Sequence, residues 1–398
     1  MEHASGGLLT LFIVFFASIV GGEVSMRLRM PAVVGQILAG VAIGASGLNW
    51  VPTDSMPVLN VLSELGAVFL LFAVGIETPF EKIGQVGAEA FRVALLGVLI
   101  PFVLGFGWAF WGGSKAPEAA FVASAFVATS AGITAKVLSE LGVLDKRFAQ
   151  VILGAAVIDD VLAMLILTVV SSLAKGSGVD LWSIFLVLVQ AIGFIFVLMT
   201  LGRKAAKRGG KLLGKPMSPL SPWSLSIAMC IGVAVLASYL GLAAIIGAFL
   251  IGMILAETEY QEWIHEKLVD LNEFIVPFFF VVVGMSVDIR AFGSFSMIGT
   301  LLLITVLATL GKLAGGWLGA KEDRAIIGIG MVPRGEVGVI VASLGKAFGV
   351  LSAATYSLLV AMSLLTSVIA APVLASLISK RTTSGQVDGF GDGSGEQT

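Results

Sequence analysis

Charge is what this sequence has least of. Of its 398 residues, 13% are Asp, Glu, Lys or Arg, where a soluble domain carries about 25%. Such a chain cannot clothe a water-facing surface, and a pair of ordinary soluble domains is excluded. Cysteine is almost missing: Cys230 stands alone inside an apolar run, which excludes an intrachain disulfide and a cysteine-ligated metal site. The formal net charge is −2, so no basic excess is there to recruit nucleic acid. No basic stretch precedes the first apolar segment, Gly7 to Val24, whereas Arg27 and Arg29 follow it. That order is wrong for a cleaved signal peptide and right for a first membrane span entered from outside.

What fills the chain is apolar. Hydrophobic residues make up 57%, the mean hydropathy is +1.02, and 49 glycines fit close packing of helices in lipid. A spanning helix needs about 20 apolar residues. The sequence predicts thirteen, at 7–26, 31–48, 57–77, 86–111, 117–139, 148–174, 181–202, 221–240, 242–257, 265–286, 292–319, 324–347 and 352–378. Short loops with turn residues join them, such as Gly112-Gly113-Ser114 and Gly176-Ser177-Gly178. Lys and Arg crowd alternate loops, among them Arg27, Arg29, Lys82, Arg92, Lys146, Arg147, Lys267, Lys321, Arg324, Lys380 and Arg381. The densest run, Arg203, Lys204, Lys207, Arg208, Lys211 and Lys215, falls on the same side. By the positive-inside rule the N-terminus is outside and the C-terminus cytoplasmic. The basic run is read as a topology determinant, with contact to anionic lipid as the alternative. The stretch 379–398 is polar and glycine-rich and is expected to be a disordered tail, with no soluble regulatory domain after it.

The two halves of the chain share spacings. Glu64 precedes Gly75 by the same interval that separates Glu273 from Gly284, and the pair Gly35 and Gly40 matches Gly247 and Gly252. Spans 2 and 3 thus correspond to spans 9 and 10. An offset of seven spans, being odd, reverses the direction of crossing. The fold class expected is an all-α membrane protein of two inverted-topology repeats, with the functional site at the midplane between them and span 7 (181–202) as linker. The same register pairs span 5 with span 12, and both are interrupted. Span 5 holds Ala128-Thr129-Ser130-Ala131-Gly132-Ile133-Thr134, and span 12 holds Pro333-Arg334-Gly335-Glu336-Val337-Gly338. Proline removes a backbone donor and the glycines loosen the helix. Matched breaks point to a binding site, where unwound carbonyls and helix ends can solvate an ion.

Charges inside spans cost about 2.5–3.5 kcal/mol each on insertion scales, and are candidates for function by default. Span 6 contains the adjacent Asp159 and Asp160, and span 11 contains Lys312 between Gly311 and Leu313. Neighbours on a helix point about 100° apart, so the two carboxylates have different partners. One can pair with Lys312 while the other stays free for an ion. Arg334 and Glu336 are expected to neutralise each other or the helix ends. A carboxylate in a dry cavity with a second carboxylate beside it holds a proton more tightly. It then takes either a proton or a small hard cation, and sodium prefers oxygen ligands. Asp160, Thr134 and the opened carbonyls of span 5 are the donors expected for sodium, with Ser130, Gly132, Pro333, Arg334 and Glu336 in support. Alternating exposure of such a site exchanges ions for protons with no covalent chemistry, no enzyme activity and no cofactor.

Thr129–Leu138, Val157–Val161 and Pro333–Gly338, in that order and with the span-11 lysine between the last two, resemble the bacterial monovalent cation/proton antiporter-2 family, above all its NapA-type sodium/proton antiporters. The likeness runs from the first span to about residue 378. It implies a homodimer of thirteen-helix protomers. Residues 1–85 and 203–290 would form a dimer scaffold, and residues 86–174 and 291–378 a mobile ion-translocating core. It implies that Asp160 is the principal ion carboxylate and that Asp159 pairs with Lys312 until an ion binds. The two-aspartate motif goes with electrogenic exchange in that kinship. The substrates expected are Na+ or Li+ against H+. A potassium/proton antiporter of the same family is the alternative. An intramembrane aspartyl protease is remoter, because its two aspartates sit on different helices, and no pore filter of a channel is visible.

Overall fold

The computed structural model describes residues 2–78, 80–174, 181–202, 204 and 221–388. All regular structure among them is helical, as expected of a chain whose backbone has no water to bond in lipid. The helices are α1 (Glu2–Arg27), α2 (Ala32–Ile43), α3 (Met56–Ile76), α4 (Phe80–Trp111), α5 (Ala116–Val127), α6 (Ala131–Glu140), α7 (Arg147–Ala174) and α8 (Leu181–Val197). They continue with α9 (Ser221–Tyr239), α10 (Ala244–Leu255), α11 (Gln261–Met285), α12 (Phe295–Gly319), α13 (Arg324–Gly330), α14 (Gly335–Ala347) and α15 (Ala353–Asp388).

Among the described residues, 9 helical stretches are long and apolar enough to cross a membrane, α5 and α6 together making one of them. The pair α13 and α14, bent by 44°, makes a further span, and α2, α9 and α10 are shorter apolar helices. This set accounts for the thirteen spans read from the sequence. The differences lie at the ends. The stretch 31–48 is helical only over Ala32–Ile43, because Gly44 turns extended and the chain folds back through bonds such as Leu48 N to Ala42 O. The stretch 242–257 is helical over Ala244–Leu255, and α4 starts before residue 86, at Phe80. The last helix runs to Asp388, so the tail expected from 379 onward is helical in its first part. Of the basic run from Arg203 to Lys215, only Lys204 lies within the described residues, and the turn Gly176-Ser177-Gly178 lies outside them.

The helices pack in two groups. One joins α1 with α2, α2 and α3 with α11, α3 with α10, and α9 with α10. The other joins α4 with α5, α7 and α12, α12 with α13 and α15, and α14 with α5 and α15. Between the groups the contacts are sparser and run through α3 with α6, α2 with α6 and α15, and α7 with α8.

The inverted repeat is visible in the first group. A Cβ on Gly40 would stand 3.0 Å from the Gly284 Cα, and one on Gly252 would stand 2.9 Å from the Gly75 Cα. Under the correspondence read from the sequence these are one contact seen twice. Glycine is required at both because backbone meets backbone.

Exposed apolar side chains cover the outside, as a lipid-facing surface demands. Trp111, Trp182, Tyr239 and Phe295 are exposed at helix ends on the face where the chain begins, in the position of an interfacial aromatic belt.

Candidate ion-binding site

The two interruptions sit where the sequence places them, and they touch. Helix α5 stops at Val127, and α6 resumes at Ala131 after an extended Ser130. Helix α13 stops at Gly330, and α14 resumes at Gly335. At the crossing the Ser130 backbone N–H donates to the Pro333 carbonyl at 2.7 Å. Gly335 has φ +45°, and a Cβ there would meet Ser130 Oγ at 2.7 Å. Only glycine combines that backbone with that approach.

Broken helices leave orphan carbonyls and opposed partial charges. One side chain answers most of them. Arg334 is completely buried. Its Nη2 donates to Phe126 O and to Ala308 O, both at 2.7 Å, its Nε donates to Phe126 O at 3.1 Å, and its Nη1 donates to Val332 O at 2.7 Å. The guanidinium thus caps the negative end of α5 and ties it to α12. No ion pair joins Arg334 to Glu336 among the described residues, so of the two roles read from the sequence the helix-end role is the one realised. Thr134 Oγ1 donates to Gly330 O at 2.7 Å, closing the end of α13, which commits its proton and leaves its oxygen lone pairs available. Gly132 lies not in the break but in the first turn of α6. A Cβ on it would stand 3.2 Å from Phe279 Cε1 and 3.8 Å from Leu70 Cδ2, so it sets how closely α6 approaches α3 and α11.

The carboxylates gather beside this crossing. Asp159 and Asp160, on α7, are both buried. Lys312 Nζ donates to Asp159 Oδ1 at 2.6 Å, with both side chains fully buried. Gly97 of α4 flanks the lysine: a Cβ there would be in ordinary contact with Lys312 Cδ and Nζ at 3.8 Å, while a Cβ on Gly315 of α12 would meet the Gly97 backbone at 2.6 Å. Asp160 lies within electrostatic reach of Asp159, Glu336 and Lys312. Glu336 Oε2 accepts from Ser130 Oγ at 2.7 Å, which links the two breaks a second time. Of the buried oxygens without a hydrogen-bond partner among the described residues, three are at this crossing: Asp159 Oδ2, Thr129 Oγ1 and Glu336 Oε1. Thr129 stands beside the Asp159 carboxylate. Neither Thr129 nor Gly97 was singled out as a site residue from the sequence. The signal for Thr129 was present, since it opens the hydroxyl run of span 5. None marked Gly97 among so many glycines.

Charge counting defines what this place can do. Two buried carboxylates, Asp159 and Asp160, lie with two buried cations, Lys312 and Arg334, and the half-buried Glu336 reaches the same crossing through Ser130. Lys312 is paired with Asp159 and Arg334 bonds to carbonyls, so among the described residues Asp160 is the buried carboxylate with no ion pair, and it sheds its charge by taking one proton or one monovalent cation. Among the described residues no three His, Cys, Asp or Glu side chains form a chelating group for a metal ion.

A path leads toward the crossing. A cavity of about 470 Å³ lies between the two helix groups, walled by Asn60, Ser63 and Glu64 of α3, Ser286 after α11, and Glu336 of α14. Its walls are the start of α3, the start of α10 and the end of α11, so it lies toward the face on which the chain begins. Toward the opposite face, α6 is pressed against α3 and α11 at Gly132.

Comparison with known proteins agrees with this geometry. The profile of the family described as "Sodium/hydrogen exchanger, transmembrane" matches residues 11–380. The chain belongs to the sodium/hydrogen exchanger family. It is 35% identical to the high-affinity Na(+)/H(+) antiporter NhaS3 of Synechocystis, over 94% of this chain and 90% of that one. It is 32% identical to the Na(+)/H(+)-K(+) antiporter GerN of Bacillus cereus, over 91% of this chain and 94% of that one. The solved structure of the sodium proton antiporter MjNhaP1 from Methanocaldococcus jannaschii superposes with a TM-score of 0.66 over 97% of this chain and 98% of that one, at 18% identity. That likeness establishes the fold. This exchanger-family chain is therefore a multi-pass membrane transporter.

Proposed function

We propose that the protein exchanges sodium, and lithium with it, for protons across the bacterial inner membrane, with its N-terminus outside and its C-terminus in the cytoplasm. The buried Asp160, which has no ion pair among the described residues and lies beside the Asp159–Lys312 pair, carries this reading. Asp160 is the carboxylate that takes either the ion or the proton. Thr129 Oγ1 and Asp159 Oδ2, buried and without a hydrogen-bond partner, are oxygens suited to complete a sodium shell with it, alongside the lone pairs of Thr134 Oγ1. Asp159 and Lys312 hold each other until the ion arrives. The packing in two groups suits a core of α4–α7 and α12–α15 that shifts against a scaffold of α1–α3 and α9–α11, with α8 as linker and the scaffold forming a homodimer. Filling the outer cavity and opening the Gly132 contact would carry the site from one face to the other.

Potassium is the second reading, favoured by one observation: the relative GerN is a Na(+)/H(+)-K(+) antiporter. A protease reading is not pursued, since both aspartates lie on α7 and one is held by Lys312. The test is flux in proteoliposomes, with Na+, Li+ and K+ each added against an imposed pH gradient. Sodium is expected to dissipate the gradient for the wild type and not for Asp160→Asn, which keeps shape and removes the titratable charge. An Asp160→Asn protein that still dissipates the gradient overturns the assignment. A wild type that responds to potassium alone changes the substrate.

A further inference from the structure

Glu64 has no part in the crossing, yet it occupies a place that needs a reason. It stands two turns into α3, which begins at Met56, about 12 Å along the helix at about 1.5 Å per residue. That depth is within the hydrocarbon region. A carboxylate there is costly and faces protein partners or a water-filled space. No ion pair involves Glu64 among the described residues. It is exposed, and it borders open space on both sides: the 470 Å³ cavity with Glu336 in its wall, and a second cavity of about 420 Å³ between α3, α9 and α10. Asn60, Ser63 and Glu64 follow helical spacing and line the first cavity together. The only other charged residue in that wall is Glu336, also negative.

We infer that Glu64, helped by Asn60 and Ser63, is an entry residue for the transported cation. It collects a hydrated monovalent cation at the cavity mouth and delivers it toward Glu336 and the aspartates below. A fixed negative charge in a low-dielectric vestibule raises the local cation concentration and the rate of capture. Because Glu64 is on the scaffold group and not on the broken helices, it acts on capture and not on the exchange step. The inference rests on the sodium/proton reading and adds sidedness to it. Glu273, matched to Glu64 by the repeat, is exposed on α11 nearer the opposite face. It serves as the paired control.

The test measures sodium-dependent proton movement in right-side-out and everted membrane vesicles. Wild-type activity in the same vesicles is the separate test of the exchange reading. On the face where the chain begins, Glu64→Gln is expected to raise the KM for sodium roughly threefold to tenfold, with the maximal rate retained. KM on the opposite face is expected to stay at the wild-type value. Raising ionic strength with choline chloride is expected to narrow the gap, since a vestibule charge is screened. Glu64→Asp is expected to restore KM, and Glu273→Gln to leave KM on the first face unchanged. An unchanged KM for Glu64→Gln on that face, an equal rise on both faces, or a fall in maximal rate without a rise in KM would each overturn the assignment.

Discussion

The two broken helices share a backbone and divide the chemistry. Both interrupt for a few residues at corresponding places, and they meet through Ser130 N–H and Pro333 O. The α5–α6 break offers hydroxyls and no charge. The α13–α14 break offers Arg334 and Glu336, and spends the arginine on the other break's carbonyl. One buried cation therefore serves both interruptions. The same asymmetry appears at the contacts with the scaffold. Helix α6 is seated on Phe279 and Leu70, while α14 faces a cavity. A duplicated backbone supplies two pivots. The side chains seat α6 and leave α14 facing a cavity.

The largest effect is expected from breaking that shared cap. Arg334→Gln leaves Phe126 O and Val332 O, at the two breaks, without their donor in a buried interior, at about 1–3 kcal/mol for each group left unpaired, and removes the tie to Ala308 O. Lys312, equally buried, has a different partner. When Lys312→Gln removes the cation, Asp159 can take up a proton and shed its charge, whereas a carbonyl has no such escape. Thermal unfolding in detergent is expected to fall far more for Arg334→Gln than for Lys312→Gln. Equal losses, or the reverse order, would show that Arg334 is not the cap of the break.

Much of this was legible in the sequence because the costs are large. Carboxylates and a lysine within apolar spans, and proline with glycine within a helix, each stand out where almost everything else is leucine-like. Hence Asp159, Asp160, Lys312 and the two breaks were found by residue, and the Gly40–Gly284 and Gly75–Gly252 contacts follow the spacings that announced the repeat. The rest turns on direction. Sequence places Thr129 and Thr134 in one hydroxyl run, and only their rotation about α6 and the break assigns Thr134 to Gly330 O and Thr129 to the Asp159 side. It likewise cannot say that Gly132 faces Phe279. The end of α15 was missed because a polar composition argues against a packed core and does not forbid a helix.

A smaller effect tests the seated contact. Gly132→Leu forces a side chain where 3.2 Å now separates an added Cβ from the Phe279 ring, at a cost of about 1–3 kcal/mol for overpacking. The cost falls only on the arrangement in which α6 is seated, so the population is expected to move away from it by about tenfold or more, at about 1.4 kcal/mol per factor of ten. Hydrogen–deuterium exchange is the readout. Exchange is expected to rise in peptides covering α6 and to fall in those covering 60–67 and 336–340, as the outer cavity closes. A wild-type exchange pattern would show that α6 does not gate the opposite face.

The comparison of the two buried cations is sharpened by stoichiometry. Arg334 bonds to carbonyls and keeps its proton throughout. Lys312 bonds to Asp159 at 2.6 Å, and its partner is the residue the ion also seeks. If sodium competes for Asp159 as Asp160 releases its proton, Lys312 is left without a counter-charge in a buried site and would give up a second proton. Two protons would then cross for each sodium, and the cycle would move net charge. In proteoliposomes with a potassium diffusion potential set by valinomycin, the wild-type rate is expected to follow voltage. Lys312→Gln removes the second carrier, so its residual exchange is expected to ignore voltage, with Asp160 still trading one proton for one sodium. A wild type indifferent to voltage refutes the two-proton scheme. A Lys312→Gln protein that keeps full voltage dependence removes the lysine from the count and leaves the two aspartates as carriers. In that case the two buried cations differ in partner and not in role.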